Sequence, residues 1–126
     1  MIMAQVLLID DDQSNLEFMQ QVMRIEGHEL AWAADGEQGL ALARKLKPQL
    51  VICDVLMPHL GGYAVLETLR ADAEFAHVPV LLFSAAMSED ARTLGLRRGA
   101  NEVLAKPFDL EQLRGALRRC LNPVQP

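Results

Sequence analysis

Four apolar residues, Leu50-Val51-Ile52-Cys53, run without interruption into one carboxylate, Asp54, and Pro58 follows four positions later. Preceded by Pro48 and closed by a breaker, this run reads as a strand buried on both faces, the pattern of a parallel sheet. Asp54 then stands at the C-terminal end of that strand, the edge outside which ligands bind in open α/β sheets. On this stretch alone, an aspartate opening a turn is the plainer reading. The ends of the other strands decide between the two.

A strand covered on both faces needs helices on either side, and the rest of the chain supplies them. Gln5 to Asp10 is a first apolar run ending in acid, followed at once by Asp11 and Asp12. Ser14-x-x-Glu17 matches a capping box for a first helix with Leu16, Met19, Val22 and Met23 inward, stopped by Gly27. Glu29 to Ala33 is a weaker strand whose Trp32 suits a sheet edge. Asp35 caps a second helix carrying Leu40, Ala43 and Leu46, which Pro48 ends. Gly61-Gly62 opens a third helix with Val65, Leu66 and Leu69 inward, and Val80 to Phe83 forms a fourth strand closed by Ser84.

Ser88 reads as the cap of a fourth helix whose apolar stripe is thin, little beyond Ala91 and Leu94, with Gly95 in its interior. It is the helix expected to be least firmly held. Val103 to Ala105 is a fifth strand, and Asp109 caps a last helix with Leu110, Leu113, Leu117 and Leu121 inward. Five strands alternating with five helices imply a doubly wound parallel sheet, because the short crossovers are right-handed and cover both faces.

Composition closes off several function classes. With 126 residues, 51% hydrophobic and 23% charged, the chain suits one domain over residues 1–121, with 122–126 as a tail or the start of a linker. A net charge of -5 and scattered basic residues argue against direct nucleic-acid binding. Cys53 and Cys120 form neither a disulfide framework nor a CxxC motif, which suits a reducing cytoplasm. No apolar run approaches the roughly 18 residues of a membrane span, and no signal region is visible. His28, His59 and His77 lack ligand spacing and read as surface histidines.

Four of the five strands end in a polar group: Asp10-Asp11, Asp54, Ser84 and Lys106. Folding gathers them on one rim. Three carboxylates about 4 Å apart repel by roughly 4 kcal/mol per pair at an effective dielectric near 20. Lys106 offsets part of that, and an oxygen-only site with open positions is what Mg²⁺ takes. No GxGxxG or GxxxxGK[ST] cradles a nucleotide phosphate. With a divalent cation, Lys106 and Ser84 added, the cleft becomes a clamp for a phosphoryl group in transfer, and Asp54 is the carboxylate best placed as nucleophile.

Asp10-Asp11, Asp54-x-x-Met57-Pro58-x-x-x-Gly62, Ser84-Ala85 and Lys106-Pro107-Phe108, in this order at these strand ends, resemble the receiver domain of two-component response regulators. The resemblance runs to about residue 121 and implies a flavodoxin-like (βα)5 sheet of order 2-1-3-4-5. It implies a phosphoacceptor rather than an enzyme, with Asp54 taking a phosphoryl group from a sensor histidine kinase or histidine phosphotransfer protein and acting on a downstream output domain or protein. Asp11, Asp54 and the Leu56 backbone carbonyl would ligate Mg²⁺, with Asp10 joining through water. Lys106 and Ser84 would bind phosphoryl oxygens.

One position departs from the family. Val103 stands where an aromatic is usual, so output would rest on the loop after Ser84 and the face shared by helix four, strand five and helix five, where dimerisation is also possible. Leu56 and Ala86 occupy positions that in the family flank the phosphoryl group, and neither side chain orients a water, which points to slow loss of phosphate. Two other readings remain: an unphosphorylated interaction module, and a Mg²⁺-dependent phosphohydrolase, which would want a second acid where Leu56 stands.

Overall fold

The structure, a computed structural model, describes residues 4–85 and 89–121. Strands β1 (Gln5–Ile9), β2 (Glu29–Ala33), β3 (Leu50–Asp54), β4 (Val80–Ser84) and β5 (Glu102–Ala105) alternate with helices α1 (Gln13–Glu26), α2 (Gly36–Leu46), α3 (Gly62–Ala71), α4 (Glu89–Arg97) and α5 (Leu110–Leu121). All strand pairs are parallel, in the order β2-β1-β3-β4-β5. The expected doubly wound sheet is therefore the observed one. Its reversal of direction falls between β1 and β3, the crevice where such sheets bind ligands.

Side-chain alternation splits the core in two. Val6 and Leu8, Leu50 and Ile52, and Leu81 and Phe83 face α1 and α5, meeting Leu16, Met19, Leu113 and Leu117. Leu7 and Ile9, Val51 and Cys53, and Leu82 face the other way, onto Leu40, Val65, Leu66 and Leu69 of α2 and α3. Unbroken apolar runs are thus what a sheet with two covered faces requires. Cys53 and Cys120 are buried and free, and burial pushes both thiols up, Cys120 to about 12.

Three local expectations are corrected. The N-cap of α1 is Asp12, not Ser14: the Asp12 carboxylate accepts the N–H groups of Ser14 at 2.9 Å and Asn15 at 3.4 Å. Asp12 has the extended backbone of a cap, whereas Ser14 already lies inside the helix. Leu94 is 39% exposed, and α4 instead turns Gly95 onto the sheet. The approach leaves no room for more, since a Cβ there would stand 2.7 Å from Val103 Cγ2. Leu110, at the start of α5, is exposed as well. Ser88, Ala86 and the tail 122–126 lie outside the described residues.

The other caps hold as read. Gly27 closes α1 with φ 81°, Asp35 accepts the Gln38 N–H at 2.8 Å, and Asp109 and Gln112 cap reciprocally at 2.8 and 2.9 Å. The thin packing of α4 is also observed, Gly95 being its one buried residue among the described side chains.

One structural residue has no sequence signal. The Arg70 guanidinium donates to the carbonyls of Gly99 at 3.0 Å, Phe75 at 3.1 Å and Val78 at 2.8 Å, and to Asn101 Oδ1 at 3.0 Å. It ties the end of α3 and the loop before β4 to the turn before β5. Burial lowers its pKa. Arg70→Met is expected to cost about 2 kcal/mol in urea unfolding, because several acceptors lose a charged donor together. Arg70→Lys should restore little of it, since one ammonium lacks the planar fork.

Candidate functional site

The rim beyond the strand ends carries the acids. β1 runs out at Ile9, and Asp10 follows, its N–H still bonded to the Ala33 carbonyl at 3.0 Å. Asp10 is fully buried, whereas Asp11 beside it is exposed. Asp54 ends β3 and is 6% exposed. Because β1 and β3 are neighbours, one carboxylate oxygen from each of Asp10, Asp11 and Asp54 lies within 4.8 Å of the others.

Among the described residues, one cation answers them. Lys106 leaves β5 two strands away and crosses the Phe83 ring, 5.8 Å from its centroid, to place Nζ 2.7 Å from Asp54 Oδ2 and 3.4 Å from Asp10 Oδ2. Its backbone N–H bonds the Ser84 carbonyl at 2.8 Å. Phe108 fixes the following turn by packing on Phe83 at 4.7 Å and Phe18 at 6.1 Å between centroids.

The other oxygens of Asp10 and Asp54 are also held. Asp10 Oδ1 accepts the Asp12 N–H at 2.9 Å, and Asp10 Oδ2 accepts Asn15 Nδ2 at 2.6 Å. Asp54 Oδ1 accepts the Leu56 N–H at 3.1 Å. Gly62 closes over this turn, where an added Cβ would sit 2.5 Å from the Asp54 carbonyl oxygen.

Burial is the largest influence on Asp54 and raises its pKa, with the Lys106 and Leu56 hydrogen bonds working against it. For Lys106 burial opposes the charged form but is outweighed by the Asp54 hydrogen bond and the nearby Asp10 and Asp54 charges, so its pKa rises. The two shifts do not mirror each other as in a simple ion pair. Lys106 faces an excess of negative charge and stays protonated, while Asp54 shares its single cation with Asp10.

Of the residues singled out from the sequence, Asp10, Asp11, Asp54 and Lys106 come together as expected. Ser84 ends β4 beside them, 6% exposed. The Leu56 side chain points out to solvent, 68% exposed, and its N–H reaches Asp54. Asn15 has no signal in the sequence, because an asparagine inside a helical stripe does not announce a bond to an acid five residues earlier, before the helix begins. Three carboxylates closer than 5 Å, one of them exposed, form a hard oxygen donor set that fits a small divalent cation. A groove of about 430 Å³ adjoins Lys106, lined by Asp12, Asn15, Phe18, Pro107 and Phe108 among others.

Comparison with known proteins agrees with this geometry. The family profile of the response regulator receiver domain matches residues 6–118. Protein PilH of Pseudomonas aeruginosa is 35% identical over 111 residues, 88% of this chain and 92% of its own length. The DNA-binding dual master transcriptional regulator RpaA of Synechocystis is 34% identical over 120 residues, 95% of this chain, which spans 50% of RpaA. Among solved structures, the receiver domain of a sensor histidine kinase from Pseudomonas aeruginosa, crystallised with a magnesium ion coordinated in its active-site cleft, superposes with a TM-score of 0.85 at 28% identity. That match covers 95% of this chain and 98% of the other.

The charge balance of the cluster sets opposite signs for two substitutions. In metal-free buffer Asp11→Asn should raise stability by about 1 kcal/mol, since it removes one repelling charge at a solvated position. Lys106→Met should lower it by about 3 kcal/mol by leaving Asp10 and Asp54 unanswered. Urea midpoints at unchanged m-value measure both.

Proposed function

The chain belongs to the response regulator receiver family, and on that premise we propose that it is a phosphoacceptor in a two-component system, with Asp54 as the site of phosphorylation. The observation that carries the reading is Lys106 Nζ held between Asp54 and Asp10 beside the exposed Asp11. A cation already poised on the acceptor carboxylate can follow a phosphoryl group onto it.

In the proposed reaction an Asp54 oxygen attacks phosphorus of a phosphohistidine on a sensor kinase or phosphotransfer protein. The P–N bond breaks, a P–O bond forms, and the imidazole leaves with its electron pair and takes up a proton. Leu56 N–H holds one Asp54 oxygen in place, and Lys106 exchanges its contact with Asp54 for one with an incoming phosphoryl oxygen. Ser84 offers a hydroxyl at the end of the neighbouring strand. Asp11, Asp54 and the Leu56 carbonyl, with Asp10 through water, are the groups that would hold Mg²⁺, which when bound neutralises charge on the phosphoryl oxygens. The groove beside Lys106 is a fitting approach for the donor imidazole. Output passes to a separate protein or domain, and the cytoplasm is the fitting compartment.

Intact mass after incubation with a small phosphodonor tests this. Wild type should gain one phosphoryl group only with Mg²⁺ present, and Asp54→Asn should gain none. No gain by folded wild type would overturn the reading and favour an unphosphorylated interaction module.

Leu56 generates a second expectation. An exposed leucine two residues after the acceptor neither orients nor activates water, so the phosphorylated form should be long-lived. Leu56→Asn should shorten its lifetime severalfold, followed as loss of phosphoryl mass after the donor is removed.

A further inference from the structure

β2 ends before the rim is complete. Ile9 lies opposite Ala33 in register, and the Asp10 N–H still uses the Ala33 carbonyl at 3.0 Å. The strand then stops, and in place of a ladder amide the Trp32 indole Nε1–H donates to the Asp10 carbonyl at 2.8 Å. Trp32 pairs with Leu8, so its side chain leaves the sheet on the face covered by α1. It remains 38% exposed.

We propose that Trp32 is a positioning residue for the acidic cluster: by fixing the Asp10 carbonyl, its indole N–H sets the direction in which Asp11 presents its carboxylate to a divalent cation. The peptide unit is planar, so anchoring the carbonyl of Asp10 also orients the N–H and Cα of Asp11. The Asp10 carboxylate is independently held by the Asp12 N–H, Asn15 and Lys106. The effect of the indole therefore falls on the next residue. Asp11 is exposed, and the direction of its backbone decides whether its oxygen stays within 4.8 Å of Asp10 and Asp54. This inference rests on the cluster being a cation site, as read above.

The test is titration with Mg²⁺ alone, by calorimetry, on wild type, Trp32→Phe and a protein carrying benzothienylalanine at position 32. Benzothienylalanine keeps the ring shape and lacks the N–H. Both variants should bind Mg²⁺ about three- to tenfold more weakly, the range one lost hydrogen bond allows. Wild-type affinity in a folded benzothienylalanine protein would overturn the proposal, because a ring that only covers the sheet edge would be unaffected.

Should the variants fail to fold, the wild-type indole N–H resonance decides. Movement on the same Mg²⁺ isotherm as the Asp11 amide supports the proposal, and an indole signal that stays still while Asp11 moves overturns it. Wild type that binds no Mg²⁺ sinks both this inference and the cation-site reading. Wild type that binds, with unchanged variants, sinks this one alone.

Discussion

Three carboxylates answered by one ammonium is the constraint on which the rest of this structure depends. At the spacing observed, each added negative charge is unfavourable by an amount comparable with a good fraction of a domain's net stability. The fold holds the arrangement because each carboxylate sits on a different support. Asp10 is fully buried and fixed by hydrogen bonds from the start of α1, Asp54 lies at the end of a strand buried along its whole length, and Asp11 reaches water. Lys106 arrives from two strands away and is braced by the aromatic contacts of Phe83 and Phe108. A site under such repulsion is responsive: whatever brings positive charge, or takes the place of Lys106 on Asp54, changes the balance of the whole rim.

The scaffold is rigid where the acids attach and thin where they do not. β1, β3 and β4 are buried on both faces, so the positions of Asp10, Asp54 and Ser84 are set by close packing. α4 has the opposite character. It meets β5 through Gly95, whose Cα lies against Val103, while Leu94 and Leu96 stay exposed. Val103 is 7% exposed and turns about one side-chain bond. No aromatic ring stands at this position, and α4 meets the sheet over a small contact.

Much of this was legible in the sequence because strand periodicity and strand ends are local. Apolar runs ending in Asp10, Asp54, Ser84 and Lys106 announce both the sheet and its rim, and Gly27, Asp35 and Asp109 mark helix ends by local chemistry. What was not legible depends on distance or competition. Ser14 matches a capping box, but Asp12 caps the helix two residues earlier, with an extended backbone that the pattern does not encode. Leu94 fits a helical stripe, yet the gap over Val103 admits only Gly95. Arg70, Asn15 and Trp32 act through partners brought close by the fold, the first over separations up to 31 residues.

The edge strand shows how far a site can extend beyond its own residues. β2 contributes no acid to the rim, and its exposed pattern looks like the least constrained part of the sheet. Still, its last residues take both backbone groups of Asp10, one through the Ala33 carbonyl and one through the Trp32 indole. Asp10 is therefore clamped from β2 on its backbone and from α1 and β5 on its side chain. Since neighbouring peptide planes share each Cα, a clamp on both sides of Asp10 leaves Asp11 little freedom except rotation of its own side chain. An exposed carboxylate in a repelling cluster tends to turn away into water, and the backbone clamp limits that turn to the rotation of the side chain itself.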